Sequence, residues 1–238
     1  MFGLLFLYRR DEMLYSILSG NTSFIEIVMH IVAVILVIVL ILPFHELAHG
    51  YIAYKLGDDT AKKAGRLTFN PLHHIDYVGA LCMVLVGFGW ADPVPVNPYN
   101  FKNPRKDMAL VALAGPAANM IAALVGGLIQ NAFLCFVPAT TAAWYYAVAV
   151  FFQYYISVNI GLAVFNLIPL PPLDGSKILG ALLPTEAYVA MMKNERTLSF
   201  VLLALVGLNI VDKIVYYPRL ILEYAVYFVT ALPFLPFS

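Results

Sequence analysis

The chain has 238 residues, zero net charge, and only 12% charged against 62% hydrophobic residues. A soluble domain carries roughly 25% charged residues, so a water-soluble globule is a poor reading, and a balanced charge offers nothing to attract nucleic acid. The two cysteines, Cys82 and Cys135, match no zinc spacing and build no disulfide framework; they read as buried apolar thiols.

The opening MFGLLFLY is too short to span a bilayer and runs into Arg9, Arg10, Asp11 and Glu12, an order unlike a secretory signal peptide. Residues 1–22 therefore read as an interfacial segment. A first span is expected over residues 24–54, because 27–44 hold no Asp, Glu, Lys or Arg and Gly57-Asp58-Asp59 breaks the run. Near its far end stands His45-Glu46-Leu47-Ala48-His49. Residues four apart on a helix share a face, so both imidazoles can bind one metal ion while Glu46 stays free to handle a water proton. Ionisable groups at membrane depth are expensive and point to function. His30, about four turns earlier, reads as a packing residue.

Residues 55–106 form a long connection with seven basic residues: Lys55, Lys62, Lys63, Arg66, Lys102, Arg105 and Lys106. Within it, 78–90 is apolar, short and rich in glycine, and Pro93, Pro95 and Pro98 follow. This predicts a re-entrant or strand-like element. An edge near 67–69 or 82–87 is expected to hold an unwound substrate by strand addition. His73 and His74 read as interfacial loop residues.

A second span is expected over 108–136, with Gly115 to Asn119 near its start, then an uncharged turn at 137–142 and a third span over 143–168. The 66 residues between Asp107 and Asp174 contain no charged side chain, long enough for two spans of about 20 residues and a turn. The third span runs into NLIPLPPLDG, residues 166–175. Asp174 is the first acid after the uncharged stretch and sits in a Pro- and Gly-punctuated break, where backbone can bend into a protein-lined cavity. After a polar joint with Lys177, Lys193 and Arg196, residues 197–211 and about 220–237 read as two further membrane segments.

Basic residues favour the cytoplasmic side. The 55–106 connection and the joint after Asp174 are therefore expected inside, and 137–142 outside. His45 and His49 then lie toward the same face as Asp174 and can meet it at similar depth. A catalytic zinc takes three protein ligands and keeps one position open. His45, His49 and Asp174 are the candidates, for one zinc per chain. Glu46 would take a proton from the attacking water and pass it to the leaving amine. Asn119 and Asn166, polar groups in apolar spans, are candidate donors to the developing oxyanion; the plainer reading is that they bond neighbouring helices. For Asp174 the plainer reading is an ordinary Asp-Gly turn.

The motifs HELAHGYIAYKLGD, AGRLTFNPLHHIDYVG, GFGWADPVPVNPYNFKNPRKDMALVALAGPAAN and FNLIPLPPLDGSKIL occur in the order of the site-2 protease family. Over about residues 40–182 the chain resembles the short prokaryotic form of these intramembrane zinc metalloproteases. The resemblance implies zinc on His45, His49 and Asp174, acid/base work by Glu46, and Asn166 and Asn119 lining the site. It implies that the family's three-helix core is the first three spans.

The expectation is one all-α polytopic membrane domain over 1–238. It comprises the interfacial segment 1–22, a catalytic core over 24–182 with the small re-entrant or strand element, and two C-terminal membrane segments within 197–237. Its expected activity is hydrolysis of peptide bonds in or near transmembrane segments. The expected partners are a membrane-protein substrate and the bilayer of the cell membrane, not nucleic acid. Rival readings are a catalytically idle scaffold of the same fold and a metal transporter. A transporter would spread polar groups across the bilayer instead of gathering them near one side.

Overall fold

The computed structural model describes Val32 and residues 35–86, 89–140 and 142–237. The interfacial segment expected at 1–22, His30 and most of the early first span lie outside the described residues. The described residues are mostly helical and contain no strand, only one antiparallel bridge between Ile75 and Ala91.

A single π turn, Val37–Ile41, leads into α1, Leu42–Lys55, which carries the HELAH motif. Pro43 sits in the first turn of α1, directly after the π turn. The helix stops at Gly57, whose φ of 109° lies in the left-handed region. Asp58 follows, fully buried. Its Oδ1 accepts from the Thr60 N–H at 3.1 Å and Asn100 Nδ2 at 2.7 Å, and its Oδ2 accepts from the Asn97 N–H at 2.7 Å. What reads in sequence as a helix breaker is thus a clamp, tying the end of α1 and the short α2 (Thr60–Lys63) to the loop at 97–100.

Of the re-entrant or strand-like alternatives expected for 78–90, the strand is not formed: residues Tyr77–Val86 are a short helix, α3, and residues 67–69 are bends. Strand addition at either edge is therefore withdrawn. The reason lies just upstream: the Asp76 carboxylate accepts the Gly79 N–H at 2.8 Å, a helix cap that favours the helical turn over an extended start. Ten residues make about 15 Å of helix, half a bilayer core. After it, residues 92–97 run without regular structure, their backbone stiffened by Pro93 and Pro95. Arg66 holds this segment through Asp92, with Nη1 on Oδ2 at 3.0 Å and Nη2 on the carbonyl at 2.7 Å. His73 is exposed, whereas His74 is buried and not interfacial; its Nε2 donates to the Thr68 carbonyl at 2.9 Å.

Two long helices follow, α4 (Pro104–Phe136) and α5 (Ala143–Asn166), close to the expected spans. Both pack against each other, and α4 also packs along α1. Pro104 opens α4 at a position where proline is favoured, and Asp107 reaches back to the Asn103 N–H at 2.9 Å. Pro116 lies inside α4, where it leaves a backbone carbonyl one turn earlier without its donor.

Beyond α5 come α6 (Asp174–Leu182), α7 (Thr185–Lys193), α8 (Glu195–Gly207) and α9 (Ile210–Ala231), which continues as a 3-10 turn, Leu232–Phe237. The break between the last two helices falls at Asn209, with φ 57°, and not in the gap at 212–219 left between the two expected segments. Asp212, Lys213, Arg219 and Glu223 are consequently part of a long helix. Arg219 and Glu223 are accommodated there by pairing: Arg219 Nε donates to Glu223 Oε1 at 2.8 Å, and Ser157 Oγ of α5 donates to the same oxygen at 2.6 Å.

Among the described residues, three stretches are long and apolar enough to cross a membrane: Pro104–Phe136, Trp144–Asn166 and Ile210–Pro236. At 1.5 Å per residue each exceeds the roughly 30 Å hydrocarbon core. Together with the composition, they make this a membrane protein. The C-terminal helices, which carry no recognisable motif, also have a structural task. Leu202, Val206, Val211 and Val215 pack around Phe165 and Leu173, the residues flanking the turn that presents Asp174.

Candidate metal centre

Three elements meet at the HELAH motif. Helix α1 supplies His45 and His49, one turn apart on a buried face. The turn after α5 and the first residue of α6 supply Asp174, 1% exposed. Helix α4 packs behind both histidines through Val111, Gly115 and Asn119.

Asp174 reaches this point because the chain doubles back. A Cβ on Gly175 would lie 2.2 Å from the Leu167 carbonyl oxygen and 2.5 Å from that of Ile168, so only glycine lets α6 start against the end of α5. The far end of α6 is held too: Arg105 donates to the Gly180 carbonyl and to the Leu183 carbonyl.

The ligand-type atoms converge. His45 Nε2 and His49 Nε2 are 3.0 Å apart, and Asp174 Oδ2 lies 3.3 Å from the first and 3.1 Å from the second. The outer ring nitrogens fix the tautomers. His49 Nδ1 stands 2.7 Å from the Val111 carbonyl, which can only accept, so Nδ1 carries the proton. His45 Nδ1 faces Asn119 Oδ1 at 3.2 Å and likewise donates. Both Nε2 atoms of the neutral rings then present lone pairs, and they face a carboxylate oxygen that has no hydrogen-bond partner. Three electron-rich atoms so placed repel one another unless a cation lies between them.

That arrangement fits zinc. Bonds of about 2.0–2.1 Å in a tetrahedron put ligand atoms about 3.3 Å apart, close to the observed triangle. Orienting bonds on the outer nitrogens are the usual companions of metal-ligating histidines. Space is reserved as well. A Cβ on Gly115 would lie 2.4 Å from His49 Nε2 and 2.6 Å from His45 Nε2. Asp174's other oxygen is engaged by Lys177 Nζ at 3.3 Å, leaving Oδ2 for the metal. His45, His49 and Asp174 form the one group of this kind found among the described residues.

Glu46 is buried beside them, and its Oε2 accepts the Val94 N–H at 3.0 Å. The irregular, proline-spaced segment thus holds the carboxylate by its backbone. Asn166 is 3% exposed, and its amide donates to the Leu162 carbonyl at 3.0 Å. The expected residues are therefore all buried, in the first eight residues of α1, the first half of α4 and the α5–α6 junction. Sequence reasoning missed the Val94 N–H, the Val111 carbonyl, Gly115 and the Asp58 clamp. Of these, only Gly115 carried a readable signal, a glycine next to proline in an apolar helix.

Similar proteins carry the same reading. Residues 125–208, which include Asn166 and Asp174, match Peptidase family M50. The chain is 46% identical over 162 residues to YwhC, a candidate zinc metalloprotease of Bacillus subtilis, covering 67% of this chain and 74% of that one. It is 32% identical over 151 residues to Rip2, a candidate zinc metalloprotease of Mycolicibacterium smegmatis, covering 60% of this chain and 53% of that one. A third candidate zinc metalloprotease, MJ0611 of Methanocaldococcus jannaschii, is 30% identical over 136 residues, covering 57% and 63%. No solved structure matches. The likeness to YwhC across most of its length, joined to the family match, places this chain in peptidase family M50, the site-2 protease family of zinc metalloproteases.

Proposed function

We propose that the chain hydrolyses peptide bonds in or beside transmembrane segments of membrane-protein substrates, using one zinc ion held by His45, His49 and Asp174. The observation that carries this reading is the convergence of His45 Nε2, His49 Nε2 and Asp174 Oδ2 beside a buried Glu46, among helices apolar enough to cross a membrane. Helices α1, α4 and α5 serve as the catalytic core.

Zinc at that point would polarise the scissile carbonyl and bring the pKa of a water toward about 7. Glu46 takes the proton of the attacking water and hands it to the departing amine. The Val94 N–H keeps the Glu46 carboxylate aimed while it does so. Asn166 is assigned to the oxyanion: its NH2 group has two donors, and Leu162 occupies one. The family supports proteolysis as such; substrates within the membrane are supported by the apolar helices around the site.

The active site is assigned to the cytoplasmic side of the cell membrane. Seven basic residues between 55 and 106, against none in 137–142, support this.

The test is zinc content of the purified protein together with cleavage of a membrane-inserted model peptide. About one zinc per chain is expected, with His45→Ala, His49→Ala and Asp174→Ala each losing metal and cleavage together. Zinc content equal to the parent in Asp174→Ala would remove it from the ligand set. Bound zinc without any cleavage would favour the scaffold reading.

A further inference from the structure

Helix α4 meets the two histidines through Val111, Gly115 and Asn119, three residues spaced by four and hence stacked on one face. Each does something different to the same pair of rings. The Val111 carbonyl holds the His49 Nδ1 proton at 2.7 Å. Gly115 leaves room at both Nε2 atoms. Asn119 Oδ1 faces His45 Nδ1 at 3.2 Å. The stripe repeats the spacing of His45 and His49 on α1, so each ring meets its own partner from α4.

We propose that Asn119 is a positioning residue of the metal centre: its amide oxygen holds the Nδ1 proton of His45 and keeps Nε2 unprotonated toward the metal. This rests on the zinc reading above and replaces the oxyanion role that its sequence position suggested. Asn119 is fully buried. A helix-to-helix tie is not what retains its NH2 group, because Nδ2 has no hydrogen-bond partner. The two histidines differ in a consequential way. His49 is oriented by backbone, which no substitution removes, whereas His45 depends on a side chain. A neutral imidazole without its Nδ1 acceptor is free to move the proton to Nε2, which closes the nitrogen that faces Asp174 and His49.

The experiment compares Asn119→Leu, which keeps the volume and removes the acceptor, with Asn119→Asp, which keeps an acceptor and removes the NH2 donor. Zinc dissociation constants of the purified full chain are measured by chelator competition, and cleavage of a membrane-inserted peptide is measured at saturating zinc. Asn119→Leu should weaken zinc binding by about 10–100-fold, the usual effect of losing an orienting partner. Asn119→Asp should restore zinc affinity and cleave as the parent does, since a carboxylate also accepts the Nδ1 proton. Should Asn119→Leu lose the fold, Asn119→Ala carries the same comparison. Parent-like zinc affinity in a folded Asn119→Leu would overturn the inference. So would an Asn119→Asp protein that binds zinc normally but fails to cleave, the signature of a lost oxyanion donor. A parent chain without zinc would instead overturn the underlying metal reading.

Discussion

Gly115→Ala separates the metal centre from the fold more cleanly than any ligand substitution, because its two effects have opposite signs. Exchanging glycine for alanine inside a helix is worth up to about 1 kcal/mol in favour of the helix. The new Cβ, however, would stand 2.4 Å from His49 Nε2 and 2.6 Å from His45 Nε2, where ordinary contact begins at 3.4 Å. The rings or the helix must give way by about 1 Å, while metal–ligand distances tolerate about 0.2 Å. We therefore expect zinc affinity to fall further than the 10–100-fold of a lost orienting partner, with helical content intact. The assay is the thermal midpoint of the purified protein, with and without zinc. Zinc at about 100 times its dissociation constant stabilises a binding-competent protein by roughly 2.7 kcal/mol. At the same zinc concentration the parent should show that rise, and Gly115→Ala should show little or none. A variant that gains the full zinc-dependent rise would refute the placement of the metal against Gly115.

The Asp58 clamp predicts a pH signature. Burial pushes the Asp58 carboxyl up, but the bonds from Thr60, Asn97 and Asn100 outweigh it and hold it below the usual range. A carboxyl depressed on folding stabilises above its unfolded pKa of about 3.9, and that stabilisation is lost as pH falls through the folded value. Asp58→Asn should therefore lower the thermal midpoint at pH 7, by about 1–3 kcal/mol of stability. The gap to the parent should narrow below pH 4; a constant gap would count against the clamp. For sidedness, cysteines are placed at Asn103 and Thr140, both exposed, with Cys82 and Cys135 replaced. The first should react with an impermeant thiol reagent only from the cytoplasm, the second only from outside, and reversed labelling would move the site to the other face.

The candidate ligand set was legible because its chemistry is local. His45 and His49 are one turn apart in a single motif, and Asp174 stands out as the first charge after 66 uncharged residues. Helices α4 and α5 were legible for the same reason, as unbroken apolar runs. The misses have physical causes. Residues 78–90 looked too short and glycine-rich for a full helix, yet Asp76 caps a helix over 77–86. Residues 212–219 fell between the two expected C-terminal segments, yet they belong to one helix in which Arg219 and Glu223 pair beside Ser157. The orienting partners of the histidines were hidden because one is a main-chain carbonyl, which every residue has. The other, Asn119, looked like a donor until its oxygen was found facing His45. Asp58 was invisible as a clamp because its partners lie 39 and 42 residues away.

The most direct test of the account uses Glu46→Gln in vesicles containing a transmembrane peptide of defined sequence, with products identified by mass spectrometry. Glutamine keeps the size and polarity of Glu46 but cannot take up and pass on a proton at neutral pH. Glu46 is assigned to proton transfer and not to the metal, so the variant should hold as much zinc as the parent. Losing general acid/base assistance typically slows a reaction by about 10²–10⁴-fold. The parent should cut the peptide within its membrane-embedded stretch, and zinc-replete Glu46→Gln should leave it essentially intact. Cleavage at the parent's rate by Glu46→Gln would contradict the assignment of Glu46 and, with it, the proposed mechanism of proteolysis.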